Sequence, residues 1–219
     1  MNILLTKILP PSNLDLIKSF GWDYDIVETL NISPVDVKEL PAETFDAWII
    51  SSRNSFSTVQ RFIHQAPAFL YCVGSWMENE LKKITSSQIK NFENMKALAT
   101  TLQNQNNQRL LYFCADNHRE ELEQGMKGSG SVIAKVITHK SKLAYPTVKK
   151  NYDVVFVFSP RSAESLLKNN SFTDKTTFAC IGPTTAEYLS KHGITKTFVA
   201  SYPDSTLLLK EFNISTSAH

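Results

Sequence analysis

Four short segments carry the residues best suited to chemistry: Ser52-Arg53-Asn54, Gly74-Ser75, Ser159-Pro160-Arg161 and Gly182-Pro183-Thr184-Thr185. Each follows a run of apolar residues and precedes a stretch with helical period. A helix that starts just after a strand points unpaired backbone N–H groups outward, with the positive end of its dipole behind them. Hydroxyls beside such N–H groups make a site for an anion, and a carboxylate or phosphate is the natural ligand. The same residues also suit a purely structural task. Ser52 and Ser159 are good N-caps, Pro160 and Pro183 suit a first helical turn, and Thr184-Thr185-Ala186-Glu187 has the form of a capping box. Four such termini together favour a shared anion site, and a cap leaves other N–H groups free to bind.

Other chemical signatures are missing. The chain has no G-x-G-x-x-G or G-x-x-x-x-G-K-[ST] phosphate loop, no G-x-S-x-G elbow, no H-E-x-x-H and no C-x-x-C. His64, His118, His139, His192 and His219 show no metal-ligand spacing, and His64, His192 and His219 read as surface residues. Asp116 with Glu120 and Glu121 has the types of an acid/base set, although a solvated helix start has them too.

The elements that position these segments form a repeat. Asp46 to Ser52 is an apolar strand ending in Ser before a helix through Phe62, and Asp153 to Ser159 is its counterpart 107 positions on, before a helix through Leu167. Phe69 to Gly74 and Thr177 to Gly182 form a second matching pair, each leading into a helix. A third strand–helix unit is read in each half, Arg109–Cys114 with a helix from His118 to Met126, and Thr197–Ala200 with a helix from Ser205 to Phe212. Ile3–Lys7, Ser12–Phe20 and Tyr24–Thr29 read as strand, helix and strand. Continuous apolar strands alternating with helices imply parallel sheets covered on both faces.

The expected fold class is therefore α/β: two similar doubly wound parallel-sheet lobes joined by a two-stranded extended linker. The N-terminal segment is too short to bury a core by itself. Residues 31–41 and 136–148 contain Pro34, Pro41 and Pro146 and lack helical period, as two extended crossings would. These features place residues 1–33 with 149–219 in a discontinuous lobe, 38–138 in an inserted lobe, and the crossings at 34–37 and 139–148. Two strand-end rims across such a linker would enclose a cleft for an acidic ligand.

The whole chain limits the alternatives. Of its 219 residues, 42% are hydrophobic and 20% charged, and the net charge is +2, with no basic run suited to nucleic acid. No apolar stretch reaches the ~20 residues of a membrane span, and no signal peptide is visible. Cys72, Cys114 and Cys180 lie in apolar runs, are odd in number, and read as buried free thiols. The expected location is the cytoplasm, which makes the sequons at Asn31, Asn169 and Asn213 chance matches.

The strand end Ser52-Arg53-Asn54-Ser55-Phe56, the stretch Asp116-Asn117-His118-Arg119-Glu120, Phe158-Ser159-Pro160-Arg161, and above all Cys180-Ile181-Gly182-Pro183-Thr184-Thr185-Ala186-Glu187-Tyr188-Leu189 before Gly193 resemble the uroporphyrinogen-III synthase family. The resemblance extends over essentially the whole chain. It implies two lobes on a two-stranded linker and a substrate, hydroxymethylbilane, that carries eight carboxylates. The implied reaction is a cyclising lyase step of porphyrin and heme biosynthesis. The terminal hydroxyl leaves, ring D is attacked at its substituted carbon, and a spiro intermediate rearranges to uroporphyrinogen III with loss of water.

No metal or organic cofactor is implied, and the enzyme would be a monomer that takes substrate from hydroxymethylbilane synthase. Such a catalyst must orient its substrate and stabilise developing charge, which fits the missing nucleophile. Ser52, Ser75, Ser159, Thr184 and Thr185, with N–H groups near Gly74 and Gly182, are implied to hold the carboxylate arms. Lys7, Arg53, Arg119 and Arg161 would balance their charge. The chain departs from the family in having Lys7 where Arg is usual, Ala115-Asp116 in place of a Gly-Asn turn, and no Thr pair after Gly74. It also has His139 where the family has a Tyr that helps the hydroxyl leave. His139 is then the candidate general acid, with Tyr145 as a substitute. The rival reading is a non-catalytic two-lobed protein that binds an anionic or tetrapyrrole ligand.

Overall fold

A computed structural model describes residues 1–118 and 120–217, with the side chain of Ser217 excepted. The chain separates into two compact units, Met1–Asn31 with Lys142–His219, and Ile32–Ser141. The first holds β1 (Asn2–Leu5), α1 (Pro11–Ser19), β2 (Asp23–Ile26), β9 (Val154–Val157), α6 (Pro160–Leu167), β10 (Thr177–Cys180), α7 (Pro183–Lys191), β11 (Thr197–Val199) and α8 (Ser205–Ser217). The second holds β4 (Ala47–Ile50), α2 (Phe56–Phe62), β5 (Phe69–Val73), α3 (Ser75–Lys82), β6 (Gln88–Phe92), α4 (Met95–Gln103), β7 (Arg109–Ala115) and α5 (Glu121–Gly125). The division falls inside β3 (Leu30–Pro34) and β8 (Val132–Leu143), which are neighbours in the sheet of the second unit.

The first sheet has the order β11-β10-β9-β1-β2 and the second β3-β8-β7-β4-β5-β6. All four strand pairings of the first sheet are parallel, as are the four that join β8 through β6 in the second. The central strands β4 and β9, Ala47-Trp48-Ile49-Ile50 and Val154-Val155-Phe156-Val157, are buried at every position. Such unbroken apolar runs arise because helices cover both faces.

Alternation along each strand sorts the side chains. In the first unit Ile3, Leu5 and Phe156 pack with Ile17 of α1 and with Leu208, Leu209 and Phe212 of α8. Leu4, Val155 and Val157 pack on the other face with Ala163 and Leu166 of α6 and Leu189 of α7. In the second unit Ile49, Leu110 and Tyr112 face α4 and α5, while Trp48, Ile50 and Phe113 face α2 and α3. The three cysteines are buried free thiols, which burial pushes up to about 11 for Cys114 and about 12 for Cys72 and Cys180.

Three sequence expectations are corrected. The sheet orders match β11 to β6 and β1 to β7 about the centres β9 and β4. Arg109–Cys114 and Thr197–Ala200 are therefore not counterparts. The true partner of β11, Gln88–Phe92, is an edge strand whose half-exposed sequence hides it from an apolar-run search. The helix expected from His118 to Met126 is one short turn, Glu121–Gly125. Thr184 is not the head of a capping box: Pro183 starts α7, and the N-cap is Gly182, which has no side-chain cap.

Candidate functional site

In both units the chemistry-bearing residues follow the carboxyl ends of the strands, where open parallel sheets present ligands to helix N-termini. In the first unit, the Ser159 Oγ caps α6 by accepting from the Ser162 N–H at 3.0 Å. Arg161 lies in the first turn of that helix and is half-buried. Lys7, after β1, holds its ammonium 4.4 Å from the centre of the Phe158 ring. At the start of α7, Thr184 is exposed, whereas Thr185 is buried and its N–H donates to the Gly182 carbonyl at 3.1 Å. Tyr145 also belongs to this unit. It is held at φ 50° with its N–H donating to the Ser165 Oγ at 2.8 Å.

The second unit differs. Ser52 precedes a 3-10 turn, Arg53–Ser55, and its Oγ accepts from the Asn54 N–H at 3.3 Å. The Arg53 guanidinium sits 5.0 Å from the centre of the Trp76 ring. Gly74 turns the chain into α3 at φ 90°, a conformation that favours glycine, and Ser75 is exposed at the helix start. Arg119 lies outside the described residues, as does His219. His64 and His192 are exposed.

A cavity of about 240 Å³ opens at this rim, lined by Ser51, Ser52, Met95, Tyr112, His118 and His139 among others. His139 is 4% exposed, its Nε2 is 3.4 Å from the Ser52 Oγ, and its Nδ1 is 2.8 Å from the Thr138 Oγ1. Burial pushes its pKa below the ordinary 6.5, against the pull of nearby Asp116, so the ring is neutral at pH 7. The Tyr112 hydroxyl, 3.0 Å from the Ser51 Oγ, is pushed up to about 12 by burial and stays protonated.

His118 stands edge-on to Tyr112 with ring centres 5.6 Å apart. Its Nδ1 is 3.2 Å from the Ala115 carbonyl and its Nε2 2.8 Å from the Glu123 carboxylate. Burial raises the Glu123 carboxyl, but Lys135 at 2.6 Å and His118 outweigh it and hold the group below its ordinary 4.5. The cavity thus brings Ser52 and His139 together and adds Ser51, Tyr112 and His118, which sequence reasoning did not select. Tyr112 sits inside an apolar strand, where its hydroxyl carries no visible signal. Asp116 turns its carboxylate onto the Ser141 N–H at 3.1 Å, a structural bond that closes the turn after β7.

A sequence model of the uroporphyrinogen-III synthase HemD family matches residues 14–210. The chain belongs to the uroporphyrinogen-III synthase family. Membership carries the family's function, formation of uroporphyrinogen III in tetrapyrrole and heme biosynthesis, and implies a cyclising lyase; a non-catalytic binding role is not favoured. The fold agrees with solved uroporphyrinogen-III synthases. That of Helicobacter pylori 26695 is similar at 17% identity and a TM-score of 0.67, with 100% of this chain and 99% of that one covered. A mutant of the synthase from the extreme thermophile Thermus thermophilus is similar at 11% identity and a TM-score of 0.64, with both chains fully covered. No curated protein sequence matches the chain significantly. No helix among the described residues is long and apolar enough to cross a membrane.

Proposed function

We propose that the chain catalyses the closure of hydroxymethylbilane to uroporphyrinogen III, with inversion of ring D and loss of water, as a cytoplasmic monomer supplied by hydroxymethylbilane synthase. The observation that carries this reading is the cavity in which Ser52, Tyr112 and a neutral, buried His139 converge at the strand ends of the second unit. Its mixed apolar and hydroxyl-bearing wall fits a pyrrole ring that bears a hydroxymethyl group.

In the reaction the C–O bond to the terminal hydroxyl breaks as the pyrrole nitrogen supplies the electron pair. The departing hydroxide takes up the proton released from that pyrrole N–H, so that water leaves. The methylene carbon then bonds to the substituted carbon of ring D, and the spiro intermediate rearranges. A neutral His139 has no imidazolium proton to give. Its part is to hydrogen-bond the departing hydroxyl at Nε2, with the Ser52 hydroxyl beside it. Buried donors of fixed direction act strongly on developing charge, because little water screens them.

The carboxylate arms are assigned to the helix starts. Ser159 and Arg161 of α6, with Gly182, Thr184 and Thr185 of α7, serve the first unit together with Lys7. Arg53, Gly74 and Ser75 serve the second, joined by Arg119 from outside the described residues. Thr185, being buried, acts by shaping the start of α7, while Thr184 offers its hydroxyl. Bidentate and N–H contacts to carboxylates suit these groups. The absence of an N–H on Pro160 and Pro183 costs nothing here, since a first-turn N–H has no helical partner.

The test is a coupled assay in which hydroxymethylbilane is generated by its synthase and the uroporphyrin isomers are separated after oxidation. Predominant isomer III is expected. Isomer I alone from folded protein would sink the catalytic reading and leave a binding protein.

A further inference from the structure

Behind His139 lies a chain of buried hydroxyls that the reaction so described does not use. Ser55 is 0% exposed and Thr138 1%. Polar side chains so deep cost stability unless they are bonded. Here a departure from regular strand geometry brings them together. Between β7 and β8 the register runs Cys114 to Ile137 and then Ala115 to His139, so Thr138 is an extra residue in a β-bulge. In a regular strand Thr138 and His139 would project to opposite faces. The bulge lets the Thr138 Oγ1 come within 2.8 Å of its neighbour's Nδ1. Bulges commonly re-aim a side chain in this way.

The distances show which of these contacts are short. Each hydroxyl has one proton to give and two lone pairs to accept with. The Ser55 Oγ is 2.8 Å from the Thr138 Oγ1 but 3.4 Å from the Phe113 carbonyl. The Thr138 Oγ1 is 2.8 Å from Nδ1 but 3.2 Å from the Cys114 carbonyl. The short contacts join the three side chains in one chain. Run with Ser55 donating to Thr138 and Thr138 to Nδ1, it leaves the ring proton on Nε2, the nitrogen on the cavity side near Ser52; run the other way, it puts the proton on Nδ1.

The geometry points to Ser55 and Thr138 as positioning residues that hold His139 in its Nε2–H tautomer, so that the imidazole presents a donor to the departing hydroxyl. This rests on the reading of the cavity as the place where the hydroxymethyl end binds. Among the described residues, ionisable groups near the ring include Asp116 and, across the cavity, Tyr112, His118 and Glu121. The contact seen at Nδ1 is the one to Thr138.

The test compares Thr138→Val, which swaps the hydroxyl for a methyl of equal size, with Thr138→Ser, which restores a hydroxyl, and with His139→Ala. Long-range proton–nitrogen NMR of the imidazole reads the tautomer, and the coupled assay reads kcat and KM for isomer III. The expected result is an Nε2–H ring in the wild type and mixed tautomers in Thr138→Val. In that variant kcat should fall about tenfold at unchanged KM, and Thr138→Ser should recover both readouts. If Thr138→Val does not fold, Ser55→Ala removes the head of the chain and carries the same readouts. An Nδ1–H ring in the wild type, or full kcat in Thr138→Val beside a crippled His139→Ala, would overturn this inference alone. Full activity in His139→Ala would overturn the cavity reading and this one with it.

Discussion

The two units share a sheet order about their centres but differ at the strand ends. In the first, β9 and β10 lead into full helices through Ser159-Pro160 and Gly182-Pro183, and the exposed groups there are Thr184 and Lys7. In the second, β4 leads into a 3-10 turn, and the bulge of β8 sinks a histidine and two hydroxyls beside a cavity. The first rim presents helix starts, the second a cavity whose wall mixes apolar groups, hydroxyls and a buried histidine. One topology, used twice, carries two different strand ends because such loops can vary without disturbing the sheet beneath them, and the function proposed above gives each its own task.

The largest effect should separate those tasks. His139→Ala is expected to lower kcat about hundredfold, the usual scale for losing one fixed hydrogen-bond donor to developing charge, and to let isomer I accumulate. Thr184→Ala in the first unit should instead raise KM by about tenfold or less with the isomer ratio kept. Equal losses in kcat from both would break the division of labour. The matched glycines come next. Gly74→Ala should cost roughly 1–2 kcal/mol, because φ 90° is unfavourable to any side chain although no atom lies within 4 Å of the new Cβ. Gly182→Ala, at an extended φ of −175° and in equally open space, should shift stability by no more than about 0.5 kcal/mol. Denaturant titration of both variants measures the contrast.

The capping serines give a smaller contrast. Ser159→Ala should destabilise by about 1 kcal/mol through the lost cap on α6. Ser52→Ala should cost less, since its 3.3 Å bond closes only a 3-10 turn; the reverse order in melting would contradict the assignment. The smallest effect is on pH dependence. His139 binds its proton less readily folded than unfolded, so its contribution is whole above pH 6.5 and is lost as pH falls through the lowered folded value. His139→Gln should flatten stability in that window, and an unchanged slope below pH 6.5 would show that the ring is not held neutral.

Much of this could be read along the chain. Buried runs such as Val154-Val155-Phe156-Val157, the serine that caps α6 and the Pro183 that opens α7 are local signals, because two-sided burial and helix starts constrain neighbouring residues. Edge strand β6, with its half-exposed Gln88-Ile89-Lys90-Asn91-Phe92, escaped for the same reason in reverse: an edge buries too little to leave a pattern. At the site, Ser52 and His139 could be chosen from sequence, but Tyr112, His118, Ser55 and Thr138 could not. Their types are ordinary for a strand or a helix start.

By itself the sequence determined the α/β class and the repeated strand–helix unit, which follow from periodicity and punctuation over a few residues. It also determined the family, through the resemblance carried by segments such as Cys180 to Leu189. Only the tertiary structure decided which strands are counterparts, where β8 bulges, and that Ser55, Thr138 and His139 form one chain. Ser55 and Thr138 are 83 positions apart and meet because the 3-10 turn before α2 and the strand β8 place them there. Burial and hydrogen-bond direction are properties of such distant pairs, and no local pattern in the chain encodes them.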